Sequence, residues 1–251
     1  MATEKVVFLG SHEKSLSGSL DLPEGDVRFY AIFAHCFTCS KDIAAASRIS
    51  RELARFGIGV LRFDFTGLGR SEGEFSNSNF SSNVQDLIAA NTFLEKRFKS
   101  AKLLIGHSLG GAAVIFASKN LPESTAVVTI GAPFEPSHVL HNFRQKIEEI
   151  QNEGQAQVHL AGRPFEFKKQ FLDDVIAQNP KEVLRGMKKA LLVFHSPQDS
   201  VVGIENAQNI YQHAKHPKSF ISLDGADHLL SQTEDAQYVA ATLAAWADRY
   251  I

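Results

Sequence analysis

The chain has 251 residues, 44% of them hydrophobic, and a formal net charge of −2. It is long enough to bury one α/β core, and its near-neutral balance excludes the charge excess that binding to nucleic acid or a membrane surface requires. The opening Met1-Ala2-Thr3-Glu4-Lys5 has no basic stretch followed by a long apolar run, and no segment reaches spanning length, so a soluble, cytoplasmic protein is expected.

Two short extended segments, Lys5 to Leu9 and Ser15 to Leu22, predict an antiparallel hairpin at the start. The apolar run Phe29 to Ala34 predicts a buried strand, left through His35-Cys36-Phe37-Thr38 before a helix over Ala44 to Phe56. A strand at Gly59 to Phe63 leads into Gly67-Leu68-Gly69-Arg70-Ser71-Glu72-Gly73, which invites a dinucleotide-binding reading. The third glycine comes one residue late and the next helix does not begin until about Phe80, so a wide loop passing the site is expected instead. A helix over Ser81 to Phe98, a strand over Lys102 to Ile105, a helix over Gly111 to Asn120 and a strand over Ala126 to Ile130 continue the alternation.

About sixty residues then separate this strand from the next, too many for one crossover helix and too patterned for a linker. Val139 to Asn152 has helical periodicity, Ala156 to Lys168 alternates around a turn as a hairpin does, and Gln170 to Asn179 is helical again. A cap inserted over residues 134–187 into a single domain of residues 1–251 is expected. Strands at Leu191 to His195 and Ser219 to Leu223 and a helix from about Ala236 to Tyr250 close the chain. Strands alternating with helices predict a mostly parallel sheet flanked by helices.

Gly106-His107-Ser108-Leu109-Gly110 joins a predicted strand to a predicted helix. In that context the pattern is a nucleophile elbow: a sharp turn lifts the Ser108 hydroxyl into a cleft, and flanking glycines let strand and helix approach. A serine is inert until a base takes its proton. Asp199 follows the Leu191 to His195 strand and His228 follows the last strand, so nucleophile, acid and base occur in the chain order of α/β-hydrolases. Asp227 adjoins His228 but sequence neighbours rarely point correctly to hold an imidazole, so Asp199 is preferred as the acid. The oxyanion of an acyl transfer needs two donors. One is the Leu109 N–H at the helix start, and the other is the Phe37 N–H after the Phe29 to Ala34 strand, with Cys36 as the alternative.

Cys36-Phe37-Thr38-Cys39 also has the spacing of thioredoxin-like redox motifs. No thioredoxin-like remainder accompanies it, so two half-buried thiols without a disulfide are the preferred reading. The remaining histidines, His12 among them, are scattered without metal-ligand spacing, so neither metal nor cofactor is expected. Cap aromatics Phe134, Phe165 and Phe167, with His35, Cys36 and His107 beside the elbow, are the candidate substrate-pocket residues.

His35 to Cys39, Arg62 to Gly69, Gly106 to Gly111, Ala161 to Phe165 and Gly225 to Leu230 together resemble the bacterial α/β-hydrolases often fused to an OsmC-like peroxide-reducing domain. More distantly the chain is similar to feruloyl or cinnamoyl esterases and to serine aminopeptidase-like lipases. Relatives commonly have His-Gly where this chain has His35-Cys36, which is expected to narrow the site. The resemblance implies a serine hydrolase with Ser108, Asp199 and His228 as triad and Phe37 and Leu109 as oxyanion donors. It also implies a functional link to an OsmC-like domain protein. The expected function is cleavage of small carboxylic esters, short-acyl or aryl, by a monomer or homodimer through an acyl-enzyme. Thioesterase, acyltransferase and peptidase activities use the same triad, and a binding or signalling protein on a hydrolase scaffold is the non-enzymatic alternative.

Overall fold

Strands without polar alternation form the middle of the sheet, because helices cover both of their faces. The computed structural model describes residues 1–11 and 13–251; His12 lies outside the described residues. In chain order the strands of the main sheet are β1 (Ala2–Leu9), β2 (Ser15–Leu22), β3 (Phe29–Ala34), β4 (Ile58–Phe63), β5 (Leu103–His107), β6 (Ala126–Ile130), β9 (Ala190–His195) and β10 (Lys218–Ser222). A separate hairpin is formed by β7 (Gln155–Leu160) and β8 (Arg163–Lys168). The eight strands pair in the order β1-β2-β4-β3-β5-β6-β9-β10, antiparallel at the β1-β2 and β2-β4 pairs and parallel from β4 onward. Every residue of β3, β4, β5, β6 and β9 is buried.

The two faces are divided by the two-residue period of the strands. Phe29, Ala31 and Phe33 of β3 face α1 (Ala44–Arg55) and α8 (Thr233–Ala247) in one apolar layer. Tyr30, Ile32 and Ala34 face the other layer, which includes α2 (Phe80–Arg97), α3 (Leu109–Ala117), α6 (Pro180–Gly186) and α7 (Glu205–His213). Burying each large apolar side chain contributes about 1.5–3 kcal/mol, so the two layers supply most of the drive to fold. The start of α2 is set locally: the Asn79 side chain accepts from Ser82 N–H at 2.8 Å while Ser82 Oγ accepts from Asn79 N–H at 2.9 Å.

Between β6 and β9 the chain forms a 3₁₀ run over Pro136–Lys146, α4 (Ile147–Glu153), the β7-β8 hairpin, α5 (Lys169–Ala177) and α6. The sequence predicts one helix over Val139 to Asn152, whereas α-helix begins only at Ile147 because the backbone kinks at Phe143 (φ −145°). The Phe143 ring is fully buried against Phe167, with centroids 4.3 Å apart. This insertion is pinned to the loop before α2 by Lys168 Nζ to Asn77 Oδ1 (2.6 Å), Gln170 Nε2 to Ser78 O (2.9 Å) and Asn79 Nδ2 to Gln170 Oε1 (2.6 Å). No helix among the described residues is long and apolar enough to cross a membrane.

Candidate active site

Parallel strands deliver their following loops to one edge, and the loops after β3, β5, β9 and β10 meet there. Ser108, between β5 and α3, has φ +56° and ψ −128°, a conformation that L-residues rarely adopt. The neighbouring glycines are required by close approach: a Cβ at Gly106 would lie 2.2 Å from Gly110 O, and one at Gly110 would lie 2.4 Å from Ala34 O. The side chain of Ser108 accordingly stands at the end of the sheet, only 9% exposed.

His228 bridges the other two loops. Its Nδ1–H donates to Asp199 Oδ2 at 2.7 Å, and Nε2 lies 3.1 Å from Ser108 Oγ, free to accept the hydroxyl proton. The other Asp199 oxygen accepts from the Val201 and Val202 amides, each at 2.9 Å. Burial pushes the Asp199 carboxyl upward, but the hydrogen bonds from His228 and the two amides outweigh it and hold the group below the ordinary carboxylate range. Asp227 is exposed and accepts from Ser231 N–H at 2.9 Å, so the structure brings Asp199 to the imidazole.

The first-turn amide of α3, Leu109 N–H, has no acceptor within its helix. Among the described residues neither it nor Phe37 N–H donates to any protein group. Both residues border a cavity of about 20 Å³, walled also by Cys36, Phe75, Gly110 and Ala113. A cavity of this size admits one water-sized or methyl-sized group.

The cysteine reading is corrected: Cys36 and Cys39 form a disulfide, and neither is a free thiol. The spacing permits both states, and the tight turn, in which Cys39 N–H donates to Cys36 O at 3.2 Å, brings the two side chains together.

Of the predicted pocket residues, His35 and Cys36 border the cavity. Phe167 is instead buried among Phe37, Phe75, Phe143 and Phe171, with centroids 4.3–5.9 Å away, and Phe165 packs edge-on to Phe75 at 5.0 Å. Phe134 lines a different cleft with His138, His141 and Lys181, its ring tilted against His213 at 5.1 Å. His107 points away from the cavity: its Nε2–H donates to the His228 carbonyl at 2.7 Å and ties the elbow to the loop carrying the imidazole.

Several participants carry no motif. His195 donates from Nε2 to Val202 O at 2.7 Å, shaping the loop that presents Asp199. An ion network, buried except at Asp42, lies behind the Phe37 turn: Lys41 Nζ and N both reach Asp64 (2.7 Å each), and Arg62 bridges Asp21 (2.8 Å) and the exposed Asp42 (2.9 Å). The one available signal was an arginine inside the otherwise apolar β4. Among the described residues no group of three or more His, Cys, Asp or Glu side chains is arranged to hold a metal ion.

Burial, reinforced by the nearby His228, lowers the His107 pKa from 6.5 to about 4. The unfolded chain takes up this proton near pH 6.5 and the folded protein only near 4, so between those values the unfolded state binds more protons and stability is lost as the pH is lowered. Burial lowers His35 and His195 as well, which acts in the same direction. His107→Gln keeps a donor for the His228 carbonyl but removes the titration. Thermal unfolding followed between pH 7 and 4 is expected to lose up to about 3 kcal/mol less in this variant than in the parent protein. An unchanged acid limb would show that His107 is not held neutral.

The architecture and the chain match known proteins. Residues 40–185, more than half of the chain, match the family model described as serine aminopeptidase, S33; the match includes Ser108 and stops before Asp199 and His228. The esterase domain of a Rhodothermus marinus protein is 46% identical, with 100% of this chain and 99% of that one covered and a TM-score of 0.80. At 18% and 17% identity, ferulic-acid-bound Est1E of Butyrivibrio proteoclasticus (96% and 100% covered, TM-score 0.75) and mouse α/β hydrolase domain-containing protein 10 (98% and 99% covered, TM-score 0.78) share the fold. Comparison with curated protein sequences gives no match. The chain is an α/β-hydrolase and belongs to the serine aminopeptidase S33 family.

Proposed function

We propose that the protein is a serine carboxylesterase that hydrolyses small esters through an acyl-enzyme. The observation that carries this reading is the single imidazole hydrogen-bonded to Asp199 at 2.7 Å and to the Ser108 hydroxyl at 3.1 Å, beside two unpartnered amides. His228 Nε2 takes the Ser108 proton as Oγ attacks the ester carbonyl, and Asp199 stabilises the imidazolium that forms. Leu109 N–H and Phe37 N–H hold the oxyanion, aided by the positive end of α3. His228 then donates its proton to the leaving alcohol and next activates the water that releases the acid.

Residues 134–187 act as the cap in this proposal, and the small cavity beside Phe37 and Leu109 takes the first carbon of the acyl group, whose remainder lies toward the cap. No acidic side chain borders that cavity, which favours a neutral acyl group over one carrying an α-amine. A cytoplasmic monomer or homodimer acting on small-molecule esters, with a functional link to an OsmC-like domain protein, completes the reading; that link is supported by sequence resemblance alone.

A panel of p-nitrophenyl esters of increasing acyl length tests it, with arylacyl esters, a thioester, an aminoacyl anilide and an alcohol acceptor included. The highest kcat/KM is expected from acetyl to butyryl or arylacyl esters, falling beyond about eight carbons, since each buried methylene helps by only ~0.8 kcal/mol and a closed wall turns that gain into a clash. Rates that climb steadily to dodecanoyl would contradict the small pocket. Preference for the thioester, acceptor or anilide would assign thioesterase, acyltransferase or peptidase chemistry to the same residues, and no turnover of any member would favour a binding protein.

A further inference from the structure

The Cys36–Cys39 disulfide closes a ring around Phe37 and Thr38, and so encloses the peptide that presents the proposed second oxyanion donor. Thr38 is held at φ +57°, in the left-handed region that a β-branched residue avoids and occupies only when its surroundings impose it. The ends of the turn have other tethers: Lys41 N–H donates to Asp64 at 2.7 Å, and the His35 ring contacts Cys36 O at 2.8 Å. From above, Arg163 of β8 donates to Thr38 O and the Phe37 ring packs on Phe75, Phe167 and Phe171. Within the ring the backbone has one hydrogen bond, Cys39 N–H to Cys36 O at 3.2 Å, besides the disulfide. The two cysteines differ in burial: Cys36 is 4% exposed, whereas Cys39 is only partly buried.

We infer that this disulfide is a thiol-exchange site for small or protein dithiols and that its state sets the rate of the esterase, active when bonded and slowed when reduced. The inference rests on the serine esterase reading and on Phe37 as a donor. A thiolate of the reductant attacks Sγ of Cys39, the less buried of the two residues; the Cys39 to reductant bond forms and Cys36 leaves as thiolate. The second reductant thiolate then displaces Cys39. The reductant departs as a disulfide, and two electrons and two protons stay with the protein as two thiols. Reoxidation by a low-molecular-weight disulfide runs the same steps in reverse. In a reducing compartment a persistent structural disulfide is rare, whereas an exchangeable one has a use. Reduction frees Thr38 to return to negative φ and swings the Phe37 N–H away from the oxyanion position. Because that amide acts on the transition state, kcat falls and KM does not.

The test compares oxidised protein with protein reduced by dithiothreitol and freed of it by gel filtration, on p-nitrophenyl acetate, with thiols counted by maleimide mass labelling. Reduction is expected to yield two thiols and to lower kcat about 10- to 100-fold, with KM changed less than about threefold, and oxidised glutathione should restore the rate. A trifluoromethyl ketone, whose hemiketal oxyanion needs the same donors, should lose affinity in parallel. Cys39→Ser, checked for folding by circular dichroism, should have the reduced protein's kcat and no response to dithiothreitol. Full reduction with unchanged or raised kcat, a bond that dithiothreitol cannot open, or a dithiothreitol response retained in Cys39→Ser would overturn the inference. Absence of hydrolysis by the oxidised protein would instead overturn the esterase reading beneath it.

Discussion

Ser108→Ala is expected to lower kcat on p-nitrophenyl acetate by about 10⁴-fold or more, because without Oγ no acyl-enzyme forms and only binding and the oxyanion donors remain. KM should change little. The variant loses one hydroxyl whose sole partner among the described residues is His228 Nε2, and alanine meets the same backbone conformation as serine at φ +56°. The melting temperature is therefore expected to move by less than about 2 °C. This separation of activity from stability matters, since a collapse of both would report damage to the elbow, where Gly106 and Gly110 already leave no room. Retained ester turnover in a folded Ser108→Ala protein would remove the nucleophile from the account.

Asp199→Asn carries the second-largest expected effect. The Asp199 carboxylate accepts three hydrogen bonds, two from the Val201 and Val202 amides and one from His228 Nδ1–H. An amide has one acceptor oxygen, so it either abandons the loop amides or turns its NH₂ toward the imidazole and favours the tautomer with the proton on Nε2. That tautomer cannot take the Ser108 proton. A fall in kcat of about 10²- to 10⁴-fold with the fold intact is expected, measured beside Asp227→Asn, which should cost less than about fivefold because Asp227 only caps Ser231 at the surface. The reverse ranking would transfer the acid to Asp227.

How much of this was legible depends on whether a feature is written in periodicity or in tertiary contact. The buried strands β3 and β6 begin and end where their apolar runs do, since all-parallel central strands need no polar alternation. That Ser108, Asp199 and His228 would meet was legible from the alternation of strands and loops: Ser108 and Asp199 follow buried strands, His228 follows the edge strand β10, and the topology brings those strand ends together. Helices α6 and α7 were not read. The first has only seven residues, and in the second only Asn206, Ala207 and Ile210 are buried, too thin a stripe to show a 3.6-residue period. The kink at Phe143 arises from a stacking partner, Phe167, that lies in a different element.

The pocket residues were the least legible part. An aromatic residue in the insertion either lines a cavity or fastens the insertion to the domain, and composition does not distinguish the two. Phe167 and Phe171 do the second, closing over the Phe37 ring. His107 looked like part of the pocket because it precedes Ser108, yet successive residues at a strand end point opposite ways, and its ring serves the His228 carbonyl. The disulfide could not be read from spacing, because two cysteines three residues apart close a bond only if the turn between them is tight, and Thr38 in the left-handed region is what tightens it. Lys41 and Asp64 were invisible for a further reason: each is an ordinary loop residue until both are buried against each other.

The central claim is that Ser108 is the nucleophile activated by His228, and covalent labelling tests it most directly. Incubation with a fluorophosphonate, followed by intact mass and peptide mapping, is predicted to give one adduct per chain on the Ser108 hydroxyl, formed in step with loss of esterase activity and absent in Ser108→Ala. An adduct on a different residue, or full loss of activity without modification of Ser108, would contradict the account.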